Sequence, residues 1–218
     1  MSFDDSEPAA MSEQRANRSI PPGTIRTLKC EGTRGVFLVR DRDGETVLAK
    51  RWPGTLWNVC KHACGIHQAQ RQLRGARLLQ SAGIVTPRAR GRAGLTTRGG
   101  FAIEIRLEWI EGVSLLDRLS TASDAECRRL GSELATVLQR IEDAQLFHRD
   151  GKLSNFVVTP HGSIVVIDPV GVRRSRHRDS ERARSLQALV SELAPQGESR
   201  HPAFFEALHL GLRKARGA

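Results

Sequence analysis

The chain has 218 residues, with 34 Lys and Arg against 24 Asp and Glu and a formal net charge of +10 at pH 7. That length holds one sizeable core or two small lobes and excludes several independent domains. No run reaches the roughly 18 uninterrupted apolar residues of a membrane span, and the opening MSFDDSEPAAMSEQ lacks the basic start and apolar stretch of a secretory signal. A cytoplasmic location is therefore expected, with reduced thiols at Cys30, Cys60, Cys64 and Cys127 rather than a disulfide framework. The arginine excess suits an anionic partner: nucleic acid, an acidic membrane face, nucleotide phosphates or a phosphorylated substrate. A high-GC coding bias toward arginine is the plain alternative.

Residues 1–22 are polar and end in Pro21-Pro22-Gly23, the composition of a disordered leader. Val36-Phe37-Leu38-Val39, a turn at Asp41-Arg42-Asp43-Gly44 and Thr46-Val47-Leu48-Ala49-Lys50 predict a β-hairpin whose second strand ends at or near Lys50. Just before it, Glu31-Gly32-Thr33-Arg34-Gly35-Val36 places Gly32 and Gly35 in a turn whose backbone can approach phosphates, although an ordinary β-turn has the same composition. Leu73, Ala76, Leu78 and Leu79 fall at helical spacing between Gln68 and Ser81, with Gly83 as a stop. Phe101 to Ile110 alternates as a strand and is broken by Glu111-Gly112. Ser123 with Glu126 opens a capped helix whose stripe of Leu130, Leu134, Val137, Leu138 and Ile141 runs to about Ala144. A second hairpin joins Phe156-Val157-Val158 to Ile164-Val165-Val166-Ile167 through Thr159-Pro160-His161-Gly162, and 180–193 and 202–214 are helical in character. This order predicts an α+β fold, strand-rich at the N-terminal end and helical at the C-terminal end.

The chemistry concentrates in HRDGKLSNFVV, His148 to Val158, and IVVIDPV, Ile164 to Val170. Phosphoryl transfer needs hard oxygen ligands for Mg²⁺ and a carboxylate facing the nucleophile, and Asp150, Asn155 and Asp168 are of those types on neighbouring segments. The segment resembles the catalytic loop and metal-binding aspartate of protein kinases. That resemblance implies a protein-kinase-like two-lobe fold, with an N-lobe at 23–110 and a truncated helical C-lobe at 111–218. It implies that Asp150 orients the acceptor hydroxyl and takes its proton with Lys152 beside it, and that Asn155 and Asp168 hold magnesium on ATP. Lys50, at the end of VLAK, would pair with the nucleotide phosphates under the Gly32–Gly35 turn. The backbone around Glu108 and Ile110, in LEWIEG, would bind adenine. Two departures stand out. Gln72, with Gln68 one turn earlier, occupies the place of the glutamate that pairs with the lysine. Asp168-Pro169-Val170-Gly171 stands for Asp-Phe-Gly, which keeps the carboxylate and drops the aromatic.

No Ala-Pro-Glu follows Asp168, so the helical platform for peptide substrates is expected to be absent. KRW at 50–52, the basic stretch with Trp57, LLQSAGIVTP, LEWIEGVSL and VVIDPVGVRR resemble the compact bacterial lipopolysaccharide kinases that act on heptose or Kdo sugars. The implied acceptor is a sugar hydroxyl on a glycolipid, met at the inner membrane by a peripheral basic surface, with Arg173, Arg174, Arg176 and Arg178 available to lipid phosphates. Small atypical kinases that act as ATPases in transfer-RNA modification keep similar motifs. A nucleotide-binding pseudokinase is the alternative from another class. Nucleic acid is not the expected partner; a basic nucleic-acid binder with a coincidental loop would show affinity falling steeply with salt. Cys60, His62, Cys64 and His67 are zinc-ligand types in a spacing that matches no structural zinc site we recognise. Trp52 and Trp57 suit base stacking, a lipid interface or plain core packing.

Overall fold

The structure is a computed structural model that describes residues 20–31, 34–194 and 197–214. Most of the expected leader (1–19) and Gly32 lie outside the described residues. The fold is mixed α+β and divides into two units, Met1–Gln70 with Arg88–Trp109 and Arg71–Pro87 with Ile110–Ala218. Arg71–Pro87 belongs with the second unit, where Leu79 and Ile84 are part of the core.

In the first unit, β1 (Thr24–Glu31), β2 (Arg34–Arg40), β3 (Thr46–Pro53), β4 (Gly94–Thr96) and β5 (Ala102–Glu108) form one antiparallel sheet in the order β1-β2-β3-β5-β4. The β2–β3 turn forms because Asp41 Oδ1 accepts from the Asp43 and Glu45 backbone N–H groups, and Gly44 takes the φ of 82° that the turn needs. Period-2 alternation sets the two faces. Phe37 lies opposite Ala49 and Val39 opposite Val47, and these four are buried together. On the other face Lys50 sits between Val36 and Ile105 in register. The helix α1 (Leu56–Ala63) starts where the Thr55 hydroxyl accepts from the Asn58 N–H, and it buries none of its residues.

Arg51 is the largest fully buried side chain of the sheet, 1 % exposed. Its guanidinium donates to the carbonyls of Arg98, Gly99 and Gly100 at 2.8, 3.0 and 3.1 Å. Nε lies 3.3 Å from Glu104 Oε2, close enough for an ion pair but not aligned as a hydrogen bond. The carbonyls converge because Gly99 and Gly100 take φ of 66° and 97°, turning the β4–β5 connection back on itself.

The helix α2 (Gln68–Ser81) continues into the second unit, followed by β6 (Val113–Ser114), α3 (Leu115–Leu119), α4 (Asp124–Asp143), β7 (Leu146–His148), β8 (Phe156–Val158), β9 (Ile164–Val166), β10 (Val172–Arg174), α5 (Arg178–Ser191) and α6 (Pro202–Lys214). The Ser123 hydroxyl caps α4 by accepting from the Glu126 N–H. The stripe predicted for that helix is the core: Leu130, Leu134, Val137 and Ile141 are buried with Phe204, Leu208 and Leu212 of α6. The two helices meet at small residues, since a Cβ on Gly131 would overlap the Phe204 carbonyl and one on Gly211 would press on Ala135. Among the described residues no helix is long and apolar enough to cross a membrane.

Candidate active site

Two small sheets frame the second unit's loops. β7 pairs with β10 through Phe147–Arg173 and His148–Val172, and β6, β8 and β9 form a second antiparallel sheet. The segment from Arg149 to Asn155 therefore leaves one sheet and enters the other, while Asp168 lies between β9 and β10 on the return path. Both ends are fixed by backbone bonds. The Arg149 N–H donates to the Gly171 carbonyl at 3.3 Å, and the Ile167 N–H donates to the Asn155 carbonyl at 2.8 Å. Leu153, fully buried, plugs the short 3₁₀ turn that ends the loop.

Asn155 donates its side-chain N–H to the Asp150 carbonyl at 2.7 Å. That bond fixes the amide orientation and leaves Asn155 Oδ1, a hard acceptor, on the other side. Lys152 Nζ stands 3.4 Å from Asp150 Oδ1, and both side chains are close to half exposed, so solvent makes this pair a weak contributor to stability. Asp168 has φ 54° and ψ 55° and precedes Pro169. A carboxylate residue in left-handed backbone immediately before proline is strained twice over, by its own Cβ and by the proline ring. Strain of this kind collects at sites of function. The Asp168 carboxylate and Asn155 Oδ1 are oxygen donors of the type that magnesium prefers.

Two supports were not read from the sequence. Ser154 donates its N–H and its hydroxyl to the Glu192 carboxylate at 2.8 and 2.6 Å, clamping the loop from the end of α5. Gly75 on α2 has no room for a Cβ, which would overlap the carbonyl oxygen of Pro169. Neither carries a sequence signal, because each depends on a partner far along the chain. His148 is 2 % exposed and neither ring nitrogen has a hydrogen-bond partner. Burial pushes its pKa below the ordinary histidine value, against the opposing pull of the Asp150 and Asp168 carboxylates.

Asp150, Lys152, Asn155 and Asp168 thus gather in the second unit, whose first residue after the crossover is Ile110. Lys50, Gly35 and Glu108 lie in the first unit, on β3, β2 and β5. The Glu108 N–H donates to the Arg88 carbonyl at 2.8 Å, and its carboxylate accepts from the Arg88 N–H at 3.3 Å. Gln72 is 1 % exposed on α2. Gln68 Oε1 accepts from the indole N–H of Trp52 at 2.9 Å. Trp52 is buried edge-on to His67, whereas Trp57 is 68 % exposed under Lys61. His67 accepts the Ala69 N–H, Cys60 and Cys64 are exposed, and no group of three metal-ligand side chains occurs among the described residues.

Of the arginines beyond Asp168, Arg173 pairs with Glu181 and lies over the Phe147 ring, and Arg176 gives its backbone N–H to Glu181. The Arg178 side chain lies outside the described residues. Glu181 is 3 % exposed. Burial alone would raise its pKa, yet hydrogen bonds from Ser175, Arg173 and the Arg176 N–H, with the Arg173 charge, bring it down to about 2. A carboxyl lowered from 4.5 to about 2 on folding adds stability that is fully present above pH 4.5 and disappears as pH falls through about 2. Urea midpoints should therefore separate wild type from Glu181→Gln most widely near neutrality, and the gap should shrink steadily as the pH is lowered below about 4.5. A gap independent of pH would mean that the ionised carboxylate is not what holds this cluster.

The chain matches no protein-family model, and no curated protein matches it.

Proposed function

We propose that this protein is a magnesium- and ATP-dependent phosphotransferase of protein-kinase-like fold that moves a γ-phosphate to a hydroxyl of a non-protein acceptor, a lipopolysaccharide-core sugar by resemblance. The observation that carries the reading is the tie between Asn155 and the Asp150 carbonyl, with the Ile167–Asn155 backbone bond bringing the aspartate-bearing segment to the same loop. In this reading Asp150 takes the acceptor's proton and Lys152, beside it, offsets charge that develops at the reacting oxygens. Asn155 and Asp168 would hold magnesium, which supplies charge neutralisation at the phosphates when bound. Lys50 and the turn containing Gly35 would hold the phosphates, and the backbone near Glu108 and Ile110 the adenine.

The test is magnesium-dependent ATP turnover by the purified protein beside Asp150→Ala. Turnover should need magnesium and fall by about 10²- to 10⁴-fold in the variant, the usual contribution of a positioned general base, with an unchanged thermal transition. A wild type that binds no ATP overturns the reading. Buried Gln72, where the resemblance expects a glutamate, favours one second reading, a pseudokinase. A neutral amide cannot make an ion pair with Lys50. In that case ATP binds, no acceptor is phosphorylated, and Gln72→Glu does not create turnover.

A further inference from the structure

A recess of about 410 Å³ in the second unit is lined by Arg71 and Arg74 of α2, Arg149 of the catalytic loop, and Arg173 and Arg174 of β10, with no acidic residue among its described lining. Leu78 and the 170–172 backbone complete the wall. Arg71 and Arg74 lie one helical turn apart and so face the same way. The β7–β10 pairing and the Arg149–Gly171 bond bring the other three to that face.

Arg173 already has Glu181 as a counter-ion, and five guanidinium groups around one recess still concentrate positive charge that draws an anion. Part of the frame is already ordered. Arg71 donates to the Val170 carbonyl at 3.3 Å, and Arg173 is held by Glu181 and by the Phe147 ring. Arg74, Arg149 and Arg174 are exposed. Planar guanidinium forks match the oxygens of a phosphate in shape and charge. The recess also adjoins the reaction loop, since a Cβ on Gly171 would stand 3.2 Å from the Asp150 backbone nitrogen.

We propose that Arg71, Arg74, Arg149, Arg173 and Arg174 form a phosphomonoester site beside the catalytic loop, which grips a phosphate already carried by the acceptor while a different hydroxyl reaches Asp150. The assignment of the anion to the acceptor rests on the phosphotransferase reading; the anion site itself does not. It also changes the set expected from sequence: Arg71, Arg74 and Arg149 join Arg173 and Arg174, and Arg176 is not part of it.

The same chemistry reaches the site as a membrane headgroup or as a soluble phosphate, and the experiment separates the two. Binding is measured with magnesium and ADP present, so that the nucleotide site does not compete. One arm uses glucose 1-phosphate and inorganic phosphate in calorimetry. The other uses phosphatidylcholine vesicles with and without phosphatidic acid in co-sedimentation. The double variant Arg74→Ala/Arg174→Ala alters two exposed side chains, and Arg26→Ala/Arg42→Ala, exposed in the first unit, is the control for general charge. Affinity in at least one arm should fall about tenfold or more for the first pair and little for the second, with ATP binding unchanged in both. Loss with soluble phosphates identifies a free phosphorylated acceptor, and loss only with phosphatidic acid vesicles identifies a headgroup. Equal effects of the two pairs, or no phosphate binding by wild type in either arm, overturn the site. If the protein binds no ATP but the tenfold difference persists, the anion site stands and the phosphotransferase reading falls.

Discussion

If the proposed phosphotransferase reading holds, exchanging Asp168 for glycine should have two opposite effects, removing magnesium-dependent ATP turnover and making the protein more stable. The activity loss should be about a thousandfold or more, because a metal-held carboxylate contributes several kcal/mol to stabilising charge in phosphoryl transfer. The stability gain should be about 1 kcal/mol, since a side chain in left-handed backbone costs about 1–2 kcal/mol that glycine does not pay. The φ of 54° ahead of Pro169 is the source of both expectations. Asp168→Asn separates them: it retains the Cβ strain and removes the charge, so turnover should fall without the gain in stability. Steady-state ATP hydrolysis and urea denaturation of the three proteins measure the two effects. A glycine variant less stable than wild type would mean that contacts of the Asp168 carboxylate outweigh the strain, and retained turnover would remove Asp168 from the reaction.

Arg51→Ala should destabilise the first unit by about 3 kcal/mol, within the range seen when one partner of a buried charged network is removed. The main cost is not the lost ion pair. Glu104 still has Arg106, 2.8 Å away, but the carbonyls of Arg98, Gly99 and Gly100 lose the one buried donor on which they converge. Arg51→Lys should recover only part of that, because an ammonium cannot serve the same spread of acceptors. Hydrogen exchange checks the location: the β4–β5 connection should lose protection first. Unchanged protection there, with global stability intact, would show that the glycine turn holds itself.

The sequence carried the hairpins, α2, α4, α6 and the Asp150–Asn155 loop because their signals are local. Asp41 and Gly44 specify a turn over four residues, Ser123 specifies a cap, and the stripe from Leu130 to Ile141 specifies a buried face. β1 carries no such signal: Thr24–Glu31 is extended through pairing with β2, and its side chains at 25–30 are exposed, so no apolar alternation marks it. α1 was missed for the same kind of reason: it buries nothing and depends on one threonine cap. β7 and β10 are three residues each and exist through one another, across the 23 intervening positions from Arg149 to Gly171 that no periodicity spans. Arg51 reads as a surface charge in KRW and is instead the buried donor for a turn that follows much later in the chain. The candidate site was legible as residue types and spacing; its clamps, Glu192 and Gly75, required the fold.

The missing side chain at Gly75 has a mechanical consequence. With its backbone seated on the Pro169 carbonyl, α2 cannot slide or roll without carrying the turn that presents Asp168. Helix and turn act as a lever with its fulcrum at that contact. Any coupling through that contact is reciprocal: what binding at the aspartate does to the free energy of a helix position, that helix position does to binding at the aspartate. A side chain introduced at Gly75 would therefore disturb the Asp168 turn from a residue that is not part of the loop.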